Sequence, residues 1–147
     1  MNKIAVALLA AVFATSAAWA GNSPKEEANK KLVTEFYERV LNQKDLDAID
    51  KYVGPYKQHN PMAGDGPEGL KGFIAYLRKS APQSRFEFKR VFADGDYVIL
   101  HMHAVFVPGT RGQAIVDIFK VDNGRIVEHW DVIQEIPEKP ANGNSMF

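Results

Sequence analysis

Apolar and polar side chains alternate through the second half of the chain, and this spacing of two predicts β-strands with one buried face. The predicted strands are residues 85–93, 97–107, 113–121 and 125–134. Turn residues at 94–96 and 122–124 connect neighbouring strands closely, because Gly and Asn tolerate the positive φ of tight turns. The pattern therefore predicts an antiparallel meander of four strands.

The first half follows the helical spacing of three and four residues instead. Ser23 and Glu26 form a capping box with a proline at the first helical position, so a first helix begins there. Its predicted buried face is Ala28, Leu32, Val33, Phe36, Val40 and Leu41. Residues 46–53 and 67–79 predict two further helices, with an extended stretch at 56–61 between them. Helices followed by a curved sheet predict an α+β fold, in which the helices pack on one sheet face and enclose a pocket.

Three titratable side chains interrupt the apolar pattern of the last hairpin: Asp117, His129 and Asp131. A three-residue loop closed by a glycine bulge places Asp117 opposite His129 and all three groups on one face. A two-residue Asn-Gly turn places Asp117 opposite Trp130 and splits the set. We favour the three-residue loop, because it leaves an apolar row on the other face: Val116, Ile118, Trp130 and Val132. Two carboxylates and an imidazole are costly to bury without a purpose, which makes them candidate catalytic residues.

Four further polar residues are candidates for substrate binding. His101 and His103 point to the same side of their strand, where they fit either a pocket or an ordinary sheet surface. His59 and Asn60 precede a proline, so they fit either a turn or the rim of a cavity. A metal site would draw on the histidines and the two aspartates, although only His101 and His103 have a suggestive spacing. We predict no metal and no cofactor.

Residues 1–20 have the features of an export signal: Lys3 near the start, an apolar core at residues 4–13, and Ala-Trp-Ala before a small-residue cleavage point. The apolar core is too short for a transmembrane span. We therefore expect one mature domain over residues 21–137, a flexible tail over residues 138–147, and a periplasmic or secreted location.

Charge and cysteine content exclude several classes of function. The chain has 18 basic and 18 acidic side chains, and removing Lys3 with the signal leaves 17 against 18, a net charge of −1. Such a balance lacks the basic surface that binds nucleic acid or an anionic membrane. Because the sequence has no cysteine, it has no thiol nucleophile, no disulfide and no zinc–thiolate site.

Three motifs give the chain a resemblance to a known family. The run QHNP at 58–61, GDYV at 95–98 and the segment 117–131 resemble the SnoaL-like polyketide cyclase family of the nuclear-transport-factor-2-like superfamily. The resemblance spans the mature domain and implies a cone-shaped α+β barrel with a deep pocket, often dimeric through the outer sheet face. It also implies that Asp131 is the general acid/base of a cofactor-free aldol condensation, with His129 and Asn60 in the pocket.

Three features depart from the family pattern. Asp117 stands where the cyclases carry a pocket histidine, and Ile115 stands where they carry a pocket glutamine. Polyketide ring closure takes place in the cytoplasm, whereas this chain carries the features of an export signal. The expected substrate is therefore left open, while the expected fold is not affected.

Our mechanistic hypothesis is an exported enzyme of the aldol, cyclase or isomerase type, with Asp131 as acid/base. His129 and Asp117 orient Asp131, and Asn60 and His59 bind a carbonyl oxygen. The main alternative is a non-catalytic periplasmic protein that binds a small molecule in the same pocket. The remaining alternatives are the metal-dependent enzyme and an interaction module that uses the outer apolar row. That row is expected to form a homodimer interface, since exposed apolar patches of this kind mark association surfaces.

Overall fold

The computed structural model describes residues 21–147, so the predicted export signal lies outside the described residues. The helices are α1 (Pro24–Phe36), which continues as a π-helical segment (Tyr37–Asn42), α2 (Ile49–Tyr52) and α3 (Gly66–Ser80). The strands are β1 (Val53–Gln58), β2 (Arg85–Asp94), β3 (Tyr97–Val105), β4 (Gln113–Asp122) and β5 (Arg125–Glu135). Among these elements, no helix is both long and apolar enough to span a lipid bilayer.

The five strands form one sheet in the order β1-β5-β4-β3-β2. Strands β2 to β5 pair antiparallel in chain order, which confirms the predicted meander. Strand β1 was predicted only as an extended stretch, yet it joins the sheet as a parallel edge strand beside β5. It begins at Val53, where the backbone turns extended (φ −107°, ψ 132°), and this ends the second helix earlier than predicted.

The start of α1 is capped as predicted. Ser23 Oγ accepts from the Glu26 backbone N–H over 3.2 Å, and the Glu26 carboxylate accepts from the Ser23 N–H over 2.6 Å. Ala28 was predicted to be buried but is exposed. Asn29 is buried in its place, because its side chain donates to the Gly95 carbonyl oxygen over 3.2 Å. This bond ties the first turns of α1 to the β2–β3 turn.

The β4–β5 hairpin has a register that differs from the predicted one. Asn123 and Gly124 both have positive φ (48° and 72°) and form a two-residue turn, so the predicted three-residue loop is wrong. Val127 then has no partner in β4 and forms a bulge. The extra residue shifts the pairing, so that Asp117 lies opposite Asp131. The three polar groups therefore still share one face, although by a different route.

The hydrophobic core lies between the helices and the inner face of the sheet. Alternate residues of β3 and β4 face inward and are buried: Val98, Leu100, Met102, Ile115 and Phe119. They meet the buried face of α1 and the π-helical segment, formed by Val33, Phe36, Tyr37 and Val40. α3 packs against β1 and closes one side of the molecule. The helices therefore cover the inner face of the sheet, except at one end, where a cavity remains.

Candidate active site

A cavity of about 210 Å³ lies between the helices and the inner face of the sheet. Most of its wall is apolar, with five phenylalanines: Phe36, Phe73, Phe86, Phe106 and Phe119. Met62 also lines it and is 92% exposed, which locates the mouth beside the loop after β1. One end carries polar groups: Gln58, Asn60, Asp117, His129 and Asp131. A cavity that is apolar apart from a few convergent polar groups has the features of a small-molecule site.

Backbone geometry determines how the Gln58 side chain is oriented. Its Oε1 accepts a hydrogen bond from the Asn60 backbone N–H over 2.9 Å, and a backbone N–H can only donate. Oε1 therefore faces Nδ1 of His129, 2.8 Å away, and Nδ1 carries a hydrogen that it donates to Gln58. On the other side of the ring, Nε2 lies 3.1 Å from Oδ1 of Asp117. One proton is thus shared between His129 and Asp117, and the pair has no net charge whichever of them holds it.

Tyr37 completes the surroundings of Asp117. Asp117 is only 1% exposed, and its Oδ2 accepts a hydrogen bond from the Tyr37 hydroxyl over 2.6 Å. Burial, followed by the charge of Asp117, raises the pKa of Tyr37 well above the ordinary value of tyrosine, so the hydroxyl stays protonated and donates. Tyr37 opens the π-helical segment, a type of structure that is frequent at functional sites.

Asp131 is held on one side and free on the other. The Oδ1 of Asn60 accepts from the Met62 backbone N–H over 2.7 Å, which turns the Asn60 Nδ2 group towards Asp131. Nδ2 donates to Oδ2 of Asp131 over 2.6 Å. No donor within residues 21–147 reaches Oδ1 of Asp131. The carboxylate is therefore oriented by the protein and keeps one oxygen available to a ligand.

Tyr56 provides a second hydroxyl at the polar end of the cavity. Its oxygen accepts from Nε2 of Gln58 over 3.2 Å, and its ring stacks on His129 at 6.4 Å between ring centres. Burial is the largest cause of a raised pKa of Tyr56, and the carboxylates of Asp117 and Asp131 raise it further. The hydroxyl is therefore a neutral donor.

The structure brings together four of the seven predicted site residues: Asp117, His129, Asp131 and Asn60. Tyr37, Tyr56 and Gln58 also line the cavity, and they were not predicted as site residues. Tyr56, Gln58 and Asn60 follow each other at a spacing of two, which is the signal that could have indicated a shared side. Tyr37 gave no such signal, because a tyrosine on the apolar face of a helix is most simply read as part of the core.

His59 was predicted to bind substrate, and the structure places it outside the cavity. Its side chain is turned away from the cavity, with Nε2 2.8 Å from the Glu128 carboxylate. Its ring stacks on Trp130 with 4.7 Å between ring centres. Glu128 and Trp130 belong to the outer sheet face, since they alternate with His129 and Asp131 along β5. His59 therefore fastens the end of β1 to the outside of the sheet.

His101 and His103 were also predicted to bind substrate, and they too lie outside the cavity. Their neighbours Leu100 and Met102 are buried in the core, so alternation along β3 turns the histidines to the outer face. The Phe147 ring packs on both, at 5.4 Å and 4.9 Å between ring centres. The end of the tail therefore covers part of the outer face and lies away from the mouth of the cavity.

Among the described residues, one group has the clustering needed to hold a metal ion. Asp117, His129 and Asp131 each offer a ligating atom, and these atoms lie within 4.8 Å of one another. A cation at this position would have to replace the proton that His129 shares with Asp117, because Nε2 and Oδ1 already face each other. Of the residues that the metal alternative drew on, His129 and the two aspartates are in this group, whereas His59, His101 and His103 do not line the cavity.

Comparison with known families finds a match over most of the domain. A family model described as a SnoaL-like domain matches residues 33–129. That segment contains β1 to β4, the π-helical segment and six of the seven polar residues at the end of the cavity or beside it, Asp131 being the one outside the match. No curated protein matches the chain.

Solved structures show the same fold. A Bacillus cereus protein provisionally assigned as a polyketide cyclase shares 24% identity, covering 76% of this chain and 78% of its own, with a TM-score of 0.65. TsrD from Streptomyces laurentii shares 20%, covering 76% and 91%, with a TM-score of 0.62. A nuclear-transport-factor-2-like protein of unknown function from Mesorhizobium loti shares 16%, covering 78% and 98%, with a TM-score of 0.64. At these identities the likeness shows the fold alone, and it confirms the predicted α+β class with helices followed by a curved sheet.

Proposed function

This chain belongs to the SnoaL-like domain family, and we propose that it is a cofactor-independent acid/base enzyme acting on a small carbonyl compound in the cavity. The observation that carries the proposal is the environment of Asp131. Asn60 holds Oδ2 of Asp131, while no described donor reaches Oδ1. An oriented carboxylate with a free oxygen in a mostly apolar cavity suits proton transfer to and from a carbon acid.

The reaction would begin with removal of a proton next to the carbonyl group. Oδ1 of Asp131 takes the proton, and the electrons of the carbon–hydrogen bond form an enolate. In an aldol closure, the enolate carbon bonds to a second carbonyl carbon of the same molecule. The resulting alkoxide then takes the proton back from Asp131. In an isomerisation, Asp131 returns the proton to a different carbon instead. Both routes balance without an oxidant, a reductant or a second substrate.

The neutral His129–Asp117 pair makes this charge transfer easier. Before the reaction, the net negative charge of the polar end belongs to Asp131, since the pair has none. After proton transfer, the same single charge lies on the enolate and Asp131 is neutral. The charge moves within the cavity, so no second charge has to be created in apolar surroundings. We assign His129 and Asp117 as positioning residues, because neither needs to gain or lose a proton.

The proposal can be tested without knowing the natural substrate. The ketone 2-tetralone has an activated carbon–hydrogen bond, so its exchange for deuterium in D₂O can be followed by proton NMR. We expect the mature protein to accelerate exchange and Asp131→Asn to lower the rate by about 10²-fold or more, within the range of positioned acid/base catalysis. Asp122→Asn, which changes an exposed aspartate in the β4–β5 turn, is the matched control and should keep the full rate.

The same experiment separates the alternative function. Binding of 2-tetralone is measured in parallel by calorimetry for the unchanged protein and for both variants. If the protein binds the ketone and exchange stays at the rate of buffer, the non-catalytic binding protein is the better description. If Asp131→Asn exchanges at the full rate, Asp131 is not the base.

We also propose that the protein acts in the periplasm or outside the cell. This proposal is supported by the pattern of residues 1–20, which lie outside the described part of the chain. N-terminal sequencing of protein recovered from the extracytoplasmic fraction should begin at Gly21. Recovery of a chain that still starts at Met1 from the cytoplasm would contradict it.

A further proposal concerns the outer sheet face, which we infer forms a homodimer interface. The row predicted from sequence is on this face, and Val132 is 70% exposed. Pairing across the strands extends the row, because Ile118 lies between Trp130 on β5 and Ile99 on β3. Phe92 on β2, which is also exposed, lies opposite Ile99. An apolar band of this length supports association with a second copy.

A further inference from the structure

The volume of the cavity limits what can enter it. At about 210 Å³, the cavity is smaller than the roughly 300–1,000 Å³ of sites for drug-sized ligands. A buried apolar cavity of about 150 Å³ is large enough for one benzene ring. The cavity itself therefore accommodates one ring or two fused rings, and a third ring would have to extend through the mouth beside Met62. The phenylalanine walls suit flat apolar ring systems.

The hydrogen bonds at the polar end leave one donor unused. The Tyr56 oxygen accepts from Gln58 Nε2, and the Asn60 backbone N–H fixes the Gln58 amide in that orientation. Within the described chain, no acceptor is present for the hydrogen of the Tyr56 hydroxyl. Tyr56 is buried and lines the cavity, so this donor is available to a ligand there. A buried donor without a partner is unfavourable, which favours a ligand that brings an acceptor.

The distribution of charge selects against anions. The His129–Asp117 pair is neutral, and the ionised carboxylate of Asp131 is the net charge at the polar end of the cavity. None of the residues that line the cavity is a lysine or an arginine. An anionic ligand would therefore meet a like charge in surroundings of low polarity, without a cation to offset it.

These observations join into one assignment, which rests on the proposed function of the site. We infer that the substrate is a neutral carbonyl compound of one or two fused rings, whose carbonyl oxygen accepts from the Tyr56 hydroxyl while its acidic hydrogen faces Oδ1 of Asp131. Tyr56 then holds the oxygen on which the enolate charge develops, which makes it a further catalytic residue. A substrate of three or more fused rings would extend out of the cavity and lose contact with its apolar walls.

Calorimetric binding of four probes tests the assignment. The enol form of 2-tetralone has its aromatic counterpart in 2-naphthol, whose oxygen can accept from Tyr56 and whose hydroxyl can donate to Asp131. The comparison probes change one property each: 2-anthrol has a third ring, 2-naphthoate is an anion, and naphthalene has no oxygen. We expect 2-anthrol and 2-naphthoate to bind at least about tenfold more weakly than 2-naphthol.

Tyr56→Phe tests the donor, with Tyr76→Phe as the matched control because Tyr76 is 58% exposed on α3. Loss of one hydrogen bond should weaken 2-naphthol about tenfold in Tyr56→Phe and leave naphthalene unchanged. Circular dichroism checks that the variant folds. Equal affinity for 2-naphthol in Tyr56→Phe and the unchanged protein overturns the role of Tyr56. Equal affinity for 2-anthrol and 2-naphthol overturns the limit on ring number.

Failure of this inference is distinguishable from failure of the proposed function. If binding discriminates between the probes but deuterium exchange is no faster than in buffer, the inferred ligand class is supported and the proposed enzymatic activity is contradicted. If exchange depends on Asp131 but affinity does not depend on ring number or on Tyr56, the proposed activity is supported and the inferred ligand class is contradicted.

Discussion

Asn60 Nδ2 donates to Oδ2 of Asp131 over 2.6 Å, and this bond joins the end of the edge strand β1 to the last strand of the sheet. The backbone N–H of Asn60 also fixes Gln58, which in turn accepts from His129. One short segment at the end of β1 therefore orients both Asp131 and the His129–Asp117 pair. Its position depends on parallel pairing with β5, where Gln58 lies beside His129.

Asn60→Ala should lower the rate of 2-tetralone exchange by at least about tenfold. The variant removes a hydrogen bond to a charged oxygen, which contributes about 1.5–3 kcal/mol, and it frees Asp131 to rotate away from the substrate. Asn144→Ala, in the exposed tail, is the matched control and should leave the rate unchanged. The measurement is exchange by proton NMR. An Asn60→Ala variant that exchanges at the full rate would show that Asp131 needs no such orientation.

Tyr37→Phe should destabilise the fold by about 1–3 kcal/mol, because Oδ2 of Asp117 would lose its donor in the core. Urea unfolding, followed by circular dichroism, measures the difference in the free energy of unfolding. The control is Tyr76→Phe, since an exposed tyrosine changes stability by no more than about 0.5 kcal/mol. A Tyr37→Phe variant as stable as the unchanged protein would mean that Asp117 finds another donor, contrary to the bonding described above.

The order and type of the elements follow from residue periodicity. Apolar residues spaced by two lie in strands of the folded chain, and apolar residues spaced by three and four lie in its helices. The capping box at Ser23 and the four strands of the meander were predicted from these signals. The face shared by Asp117, His129 and Asp131 was also predicted. The predicted pairing of β4 with β5 was wrong, because the alternation of polar and apolar residues does not reveal the bulge at Val127.

Other parts of the site depend on contacts between residues far apart in the chain, which local patterns do not encode. The pairing of β1 with β5 decides that Asn60 faces inward and His59 faces outward. For His101 and His103, alternation alone gives two opposite faces and does not say which one meets the helices. Tyr37 contributes through a bond to a residue 80 positions away, and only the folded chain brings the two together.

The two buried tyrosines should resist ionisation at high pH. Burial raises the pKa of Tyr37 and of Tyr56 above the ordinary value, with the nearby carboxylates adding to the effect. Because the folded pKa is raised, the neutral hydroxyl favours the folded state below about pH 10, and this contribution is lost as the pH rises above that value. Absorbance of tyrosinate should therefore show no difference between the unchanged protein and Tyr56→Phe through pH 11. A difference that develops with the midpoint of an ordinary tyrosine would contradict the prediction.

Removing residues 138–147 should leave the affinity for 2-naphthol unchanged. The end of the tail packs against His101, and Lys89 Nζ lies 5.2 Å from the centre of the Phe147 ring, so both contacts are on the outer face. The cavity opens on the opposite side of the sheet, beside Met62. Calorimetry compares the full-length mature protein with the truncated chain. A tenfold loss of affinity on truncation would place the tail over the cavity mouth after all.

Val132→Lys should convert the proposed dimer to a monomer and leave the cavity intact. Val132 is already 70% exposed, so a lysine there disturbs the fold little but places a charge beside the apolar band, next to Val116. Burying that charge against a second copy is unfavourable without a partner of opposite sign. Sedimentation velocity measures the oligomeric state, and binding of 2-naphthol reports on the cavity. Tyr76→Lys also introduces a lysine at an exposed position, on α3 and away from the outer sheet face, so this variant should remain a dimer. If the unchanged protein sediments as a monomer, the outer face is not a homodimer interface. If Val132→Lys still sediments as a dimer, the two copies associate through a different surface.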